Sequence, residues 1–405
     1  MNILKATARY EAWLGERLPL IRADIELKHR AMSAGPFPFL RGTFYRWAER
    51  WESIVGAAAD APRVLAVGDL HVENFGTWRD SEGRLIWGVN DFDEAYPLPY
   101  TNDLVRLATS VVVAVGYHDL KIDPKDAAAA IADGYRETLA AGGHAYVLAE
   151  NHVELREMAE YRLHDPEKFW EKLEALPTIR GAVPPAVHSA LERAFPERGI
   201  EQRVVHRVAG VGSLGRQRYV ALAQWRGGRI AREAKALAPS ACVFANSGPP
   251  LRRAIWALAG FARKIHYHEM LRRGVRCPDP CVAVSGDWLI RRLAPDCARI
   301  TLNALPKKRH EERLLHAMGG ETANIHLGSL DAKKLLADLK RRDKRWLYDA
   351  ASKMADDVAE DWRTWRKNYD SVVKVGEGWW RSGTVQAPYS FDRVRLIRCL
   401  IRAIP

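Results

Sequence analysis

The sequence predicts an α+β fold in which one small antiparallel β lobe sits between two mostly helical segments. Three observations carry this expectation. Residues 1–60 and 124–195 have helical texture, relieved by one short β-hairpin around 64–93. From Arg203 to about Lys235 apolar and polar residues alternate, with glycines at 210, 212, 215, 227 and 228. From Glu311 onward the helical pattern returns. Segregated runs of helices and strands belong to α+β architectures, and the implied units are 1–200 (helical), 201–305 (β-rich) and 306–405 (helical).

In order along the chain, helices are expected over residues 1–60, broken by a proline-stiffened loop at Gly35-Pro36-Phe37-Pro38. Arg41 follows that loop and is expected to pack, with a phosphate or acceptor contact as the alternative. Val64–Val67 reads as a buried strand ending at Gly68-Asp69, and a turn at Asp80–Gly83 leads into its partner strand, Arg84–Val89. Asn102 or Asp103 can cap a helix running to about Gly116. Residues 203–235 form a three-stranded meander, followed by a helix over Pro250–Arg272 and strand material at Cys281–Val284 and Trp288–Leu293.

Composition narrows the function classes. Of 405 residues, 47% are hydrophobic and 28% charged, which excludes disorder as the main state. At about 150 residues per domain, the length suits two or three domains or one two-lobed unit. Five cysteines are too few for a disulfide-stapled secreted fold. No run approaches the ~18 apolar residues of a spanning helix. Met1–Leu18 alternates charged and apolar residues without a signal peptide's apolar segment. The expectation is a soluble cytoplasmic protein without a membrane partner. With 62 Lys+Arg against 50 Asp+Glu, the net charge of +12 favours anionic partners such as nucleotides. The basic stretches Lys307–Arg313 and Lys333–Arg345 read as solvated helical faces, with nucleic-acid contact a lesser alternative. Cys277, Cys281 and Cys297 are expected to be ordinary thiols, because no second close pair completes a zinc site.

The chemistry concentrates at the hairpin. Asp69 and Asn74 follow one strand, and Asp91 and Asp93 follow the other. Carboxylate and amide oxygens converging at one mouth suit a hard cation such as Mg²⁺, and a remaining carboxylate can orient an acceptor hydroxyl.

Gly68-Asp69-Leu70-His71-Val72-Glu73-Asn74, then Asp91-Phe92-Asp93-Glu94-Ala95, then Asp103-Leu104-Val105-Arg106-Leu107 resemble the catalytic and metal-binding segments of aminoglycoside and choline phosphotransferases, within the protein-kinase-like superfamily. The whole chain also resembles a large bacterial family known only as a domain of unknown function. The resemblance implies Asp69 as the catalytic aspartate, with His71 in the same loop, and Asn74 and Asp91 as Mg²⁺ ligands. It implies Asp93 at a second metal or a water, and Asp103 as a structural cap. Two departures are the Val67 that stands where a histidine is usual, and the absence of a glycine after Asp91-Phe92.

Gly210-Val-Gly212-Ser213-Leu-Gly215 lies between strand-like segments, so it does not open a helix as a dinucleotide-binding turn would. Glycines between antiparallel strands match a kinase-type loop over nucleotide phosphates, where small residues admit backbone N–H groups. Lys235, with Arg232 as competitor, falls where a phosphate-contacting cation belongs, and Glu269 is its candidate carboxylate partner. In ordinary kinases the glycine loop precedes the catalytic loop, and here it follows. The resemblance therefore implies a circularly permuted, two-lobed kinase-like fold. The expected activity is ATP- and Mg²⁺-dependent phosphoryl transfer to a small hydroxylated molecule. A nucleotide-binding pseudokinase or regulatory module is the alternative.

Overall fold

A computed structural model describes residues 1–118, 121–160, 165–179, 181–246, 265–297 and 308–369. Four helices open the chain: α1 (Ile3–Gly15), α2 (Arg22–Ala34), α3 (Pro36–Gly42) and α4 (Phe44–Val55). The expected loop at Pro36-Phe37-Pro38 is thus the first turn of a helix. Pro36 occupies its first position, where the missing N–H costs nothing and the fixed φ suits the turn.

Strands β1 (Arg63–Ala66), β2 (Phe75–Arg79), β3 (Leu85–Val89) and β4 (Tyr96–Pro99) follow. The expected pairing is corrected here. β3 pairs with β2, in register Phe75 to Val89, whereas β1 pairs with β4. The cause lies in the turn: the Asp80 carboxylate accepts the N–H groups of Glu82 (3.0 Å) and Arg84 (2.9 Å), reversing the chain between immediate neighbours.

Next come α5 (Thr101–His118), α6 (Pro124–Ala140), β5 (Tyr146–Val147), α7 (Leu148–Asn151), α8 (Val153–Glu160), α9 (Pro166–Glu174) and α10 (Pro185–Ala194). The β-rich part comprises β6 (Gln202–His206), β7 (Arg218–Trp225) and β8 (Gly228–Ala236), then α11 (Ala241–Ala245), α12 (Tyr267–Arg273), β9 (Ala283–Ser285) and β10 (Trp288–Leu293). Helices α13 (Lys308–Leu327), α14 (Ala332–Lys340) and α15 (Trp346–Lys367) complete the described chain. Much of the helix expected over Pro250–Arg272 (residues 250–264) lies outside the described residues, as do Lys307 and residues 370–405.

The fold is α+β with small antiparallel sheets. The expected meander is realised within a five-stranded sheet of order β6-β7-β8-β10-β9. Period-2 alternation gives that sheet two apolar faces. Tyr219, Ala221, Ala234 and Ile290 pack on Val187, Leu191 and Phe195 at α10, while Val205, Val220, Leu222 and Ala231 pack on Leu173 of α9. The main core unites the N-terminal helices with α5, α6 and α13–α15. Helices α6 and α13 approach closely, since a Cβ on Gly134 would lie 1.9 Å from His316 O and one on Gly319 would lie 2.0 Å from Ile131 O. Among the described residues, no helix is long and apolar enough to cross a membrane.

Candidate active site

The loop after β1 is held in shape from below. Gly68 has φ +84°, and a Cβ there would lie 2.3 Å from Glu94 O, so only glycine fits. The buried Asp103 carboxylate accepts Val67 N–H at 2.6 Å and Gly68 N–H at 2.9 Å, and contacts His326 Nε2 at 3.0 Å. Asn102 Nδ2 donates to Gly68 O at 3.2 Å. Both residues at the start of α5 therefore serve the loop, and Asp103 has the supporting role expected of it.

That loop delivers Asp69. Arg106, one helical turn after Asp103, donates from Nε to Asp69 Oδ1 at 2.7 Å and from Nη2 to Leu40 O at 2.8 Å. Its guanidinium lies over the Phe44 and Trp47 rings, at 5.0 and 4.7 Å from their centroids. Burial pushes the Asp69 carboxyl above the ordinary aspartate range, against the pull of Arg106 and Arg41. Asn74 Nδ2 donates to Asp69 O at 2.8 Å. His71, buried in the same loop, accepts the Glu73 N–H on Nδ1 at 3.2 Å.

The β2–β3 hairpin brings the second acidic pair alongside, because Asn90 N–H donates to Asn74 O at 3.0 Å. Lys235 Nζ lies 3.1 Å from Asp91 Oδ1 and 2.7 Å from Asp93 Oδ1. Burial raises the Asp91 carboxyl, but the charges of Lys235 and Arg291 outweigh it and hold the group well below its usual range. Asp93 is raised by burial and by the Asp91 charge. Glu94, bonded to Arg216 Nη2 at 3.2 Å and to Ala241 N–H at 2.6 Å, is pushed by burial to about 7.

The glycine turn closes the site from the sheet side. It joins β6 to β7, with a 3₁₀ turn at Val211–Ser213, and no helix opens there. Ile21 N–H donates to Gly215 O at 2.8 Å, fixing the turn to the start of α2. A Cβ on Gly212 would lie 3.0 Å from Arg41 O and 3.6 Å from Asp69 Oδ2. Ser213 Oγ accepts Arg218 Nη2 at 2.9 Å. Arg218 also pairs with the buried Glu233 (3.0 Å), as do Arg207 (2.7 Å) and Arg291 (2.6 Å). Three guanidiniums on one carboxylate leave a surplus of positive charge behind the turn.

Asp69, His71, Asn74, Asp91, Asp93, Gly210, Gly212 and Ser213 thus line one cleft, partly open to solvent. Gly215 turns the chain beside it, and Lys235 backs the two aspartates. Arg232 faces the other way, donating to Ala194 O at 2.8 Å, because strand residues three apart point to opposite faces. The pairing expected between Glu269 and Lys235 is not formed: Glu269 contacts His266 (3.0 Å) and Arg273 (2.9 Å). Glu269 lies on α12, after the undescribed 247–264, and Lys235 is already matched by aspartates.

Sequence reasoning missed Arg106, Arg216, Lys28 and the Glu233 cluster. Arg106 and Glu94 stood inside the quoted motifs and signalled themselves by position. Arg216 directly follows the glycine motif and Glu233 stands two residues before Lys235, whereas Lys28 had no signal. Among the described residues, no group of three or more His, Cys, Asp or Glu side chains is set to hold a metal by itself. No curated protein and no solved structure matches the chain. Residues 20–176, which carry the acidic loop and hairpin but not the glycine turn, match the model of a family described as an uncharacterized protein conserved in bacteria (DUF2252).

Proposed function

We propose that the protein is an ATP- and Mg²⁺-dependent phosphotransferase acting on a small hydroxylated acceptor, built as a circularly permuted, two-lobed kinase-like fold. One observation carries the reading: Asp69, Asn74 and Asp91 share a single cleft with Gly210, Gly212 and Ser213. Acidic groups opposite backbone amides are what a metal-bound polyphosphate requires.

The residues present fit the metal. Asn74 uses its amide nitrogen on Asp69 O, which leaves its oxygen for a cation, and Asp91 is held ionised and one-third exposed at the cleft. When bound by Asn74, Asp91 and Asp93, Mg²⁺ would supply charge neutralisation for the phosphates. The glycine-turn amides, with Lys235 and Arg218 behind them, would hold the phosphates of the nucleotide. Arg106 occupies Asp69 Oδ1 and leaves Oδ2 facing the turn. Asp69 would accept the acceptor's hydroxyl proton as that oxygen attacks the γ-phosphorus. The new O–P bond forms, the bond to the β,γ-bridging oxygen breaks, and ADP departs with the electron pair.

The test is a thermal-shift comparison of ATP, ADP and GTP with and without Mg²⁺, followed by turnover across a panel of hydroxylated metabolites. Stabilisation by metal–nucleotide is expected through mass action, with Asp69→Asn losing turnover and keeping the shift. No shift at millimolar nucleotide sinks the reading. A second reading is favoured by Lys235, which neutralises Asp91 and Asp93 without any metal: a regulatory module that binds nucleotide and transfers nothing. Nucleotide binding without steady ATP consumption would select it.

A further inference from the structure

The helical wall of the cleft carries a charge that the phosphoryl-transfer scheme does not use. Lys28, on α2, is only 2% exposed and lines the cleft. Its ammonium lies 5.7 Å from the Tyr10 ring centroid and 5.8 Å from that of Tyr45. No carboxylate among the described residues stands within ion-pairing distance of it. Glu11, the carboxylate whose charge acts most on Lys28, is taken by His29 at 2.6 Å. Further charges acting on Lys28 are Arg216, Glu94 and Asp69, all at the cleft. Arg41, in the same wall, pairs with Glu73 and keeps a buried Nε without a hydrogen bond.

A buried ammonium without a counter-ion is costly, and two aromatic rings near the ~6 Å limit of cation–π attraction offset only part of that cost. Burial accordingly lowers the basicity of the amine. A group kept in this state and aimed at a cleft is set for a ligand that brings negative charge. The phosphates of a nucleotide already have the glycine-turn amides, with the sheet cations Arg218 and Lys235 behind them. What remains for Lys28 is the second substrate.

We propose that Lys28 and Arg41 form an anion subsite for the acceptor, which is a small molecule carrying a phosphate or carboxylate beside its reacting hydroxyl. This rests on the phosphotransferase reading, and it names that reaction's acceptor class. The anion on Lys28 would present the neighbouring hydroxyl to Asp69, whose charge already reaches the amine.

Matched probes test it: glycerol against glycerol 3-phosphate, and glucose against gluconate, by thermal shift at up to 10 mM, alone and with a non-hydrolysable ATP analogue plus Mg²⁺. The anionic member of at least one pair is expected to stabilise the wild type more than its neutral partner, with analogue present. Lys28→Met should weaken that effect at least tenfold, Lys28→Arg should retain part of it, and the analogue's own shift should be equal in all three. Lys28→Met should also melt no lower than wild type without ligand, because it removes an unpaired charge. Neutral and anionic probes behaving alike in both pairs overturns the proposal. So does a Lys28→Met protein that loses affinity for the ATP analogue but not for ADP, which would assign Lys28 to the terminal phosphate of the nucleotide. If the analogue never shifts the wild type while an anion effect depends on Lys28, the anion subsite stands and the phosphotransferase reading falls.

Discussion

Lys235 Nζ stands 2.7 Å from Asp93 Oδ1 and 3.1 Å from Asp91 Oδ1, so the middle strand of the five-stranded sheet is tied by charge to the end of the β2–β3 hairpin. The lysine is almost wholly buried, and among the described residues its amine pairs with the two aspartates alone. Lys235→Met would leave the two carboxylates facing each other with only Arg216, 3.4 Å from Asp93 Oδ2, in pairing distance among the described residues. Removing one member of a buried ionic group costs about 3–5 kcal/mol, and that loss is expected in urea unfolding. Adding Asp93→Asn should recover part of it. A double variant as unstable as the single one would show that packing of the lysine stem, not charge, holds the two parts together.

Arg106 fixes Asp69 through one oxygen while stacking on Phe44 and Trp47. Arg106→Lys keeps the charge but cannot reach Asp69 Oδ1 and Leu40 O in the same fork. Turnover is expected to fall on the order of 10²-fold, as for other small misplacements of a reacting group, with the metal–nucleotide thermal shift unchanged. Equal losses in the shift and in turnover would assign Arg106 to binding of nucleotide instead.

Much of this arrangement is legible in the sequence. The alternation of Arg203–Lys235 gave its strands, and the turn glycines gave the connection that closes on Asp69. The acidic loop could be read because its residues are close in sequence and polar at the ends of apolar strands. Strand pairing was harder. Phe75–Arg79 is short and nearly all buried, so it lacks alternation, and only its position before the Asp80 turn marked it as the partner of β3. Lys28 and the Glu233 cluster were invisible for a different reason. A charge on a helix or strand reads as solvated until the partners that bury it are known, and those partners lie far away in the chain.

Glu94 and Glu321 both have carboxyls pushed to about 7 by burial, against about 4.5 when exposed. Glu321 accepts Val89 N–H at 3.2 Å beneath the hairpin. A carboxyl whose folded pKa is raised binds its proton more tightly in the native state. Stability therefore falls as pH rises from about 4.5 through about 7, by about 3 kcal/mol per group at most. Glu321→Gln should flatten this decline, so its melting temperature relative to wild type rises from pH 5 to pH 8. A constant difference across that range would mean that Glu321 titrates normally.

The glycine turn separates two kinds of constraint. Gly215 has φ +96°, and a Cβ there would lie 2.2 Å from Ile25 Cδ1, so Gly215→Ala is strained in backbone and in space. A loss of about 1–3 kcal/mol is expected from the strained φ alone, and Ile25→Ala, which removes both Cδ1 and the Cγ1 at 2.7 Å, should relieve only the contact. Gly212 has no such φ, and its added methyl would press on Arg41 O at 3.0 Å while reaching 3.6 Å from Asp69 Oδ2. Gly212→Ala should therefore fold with nearly wild-type stability but lift the turn from Asp69, weakening the metal–nucleotide shift and turnover together. If Gly212→Ala instead lowered the melting temperature as much as Gly215→Ala and left the nucleotide shift intact, the turn would be a structural clasp on α2 rather than a phosphate-binding edge of the cleft.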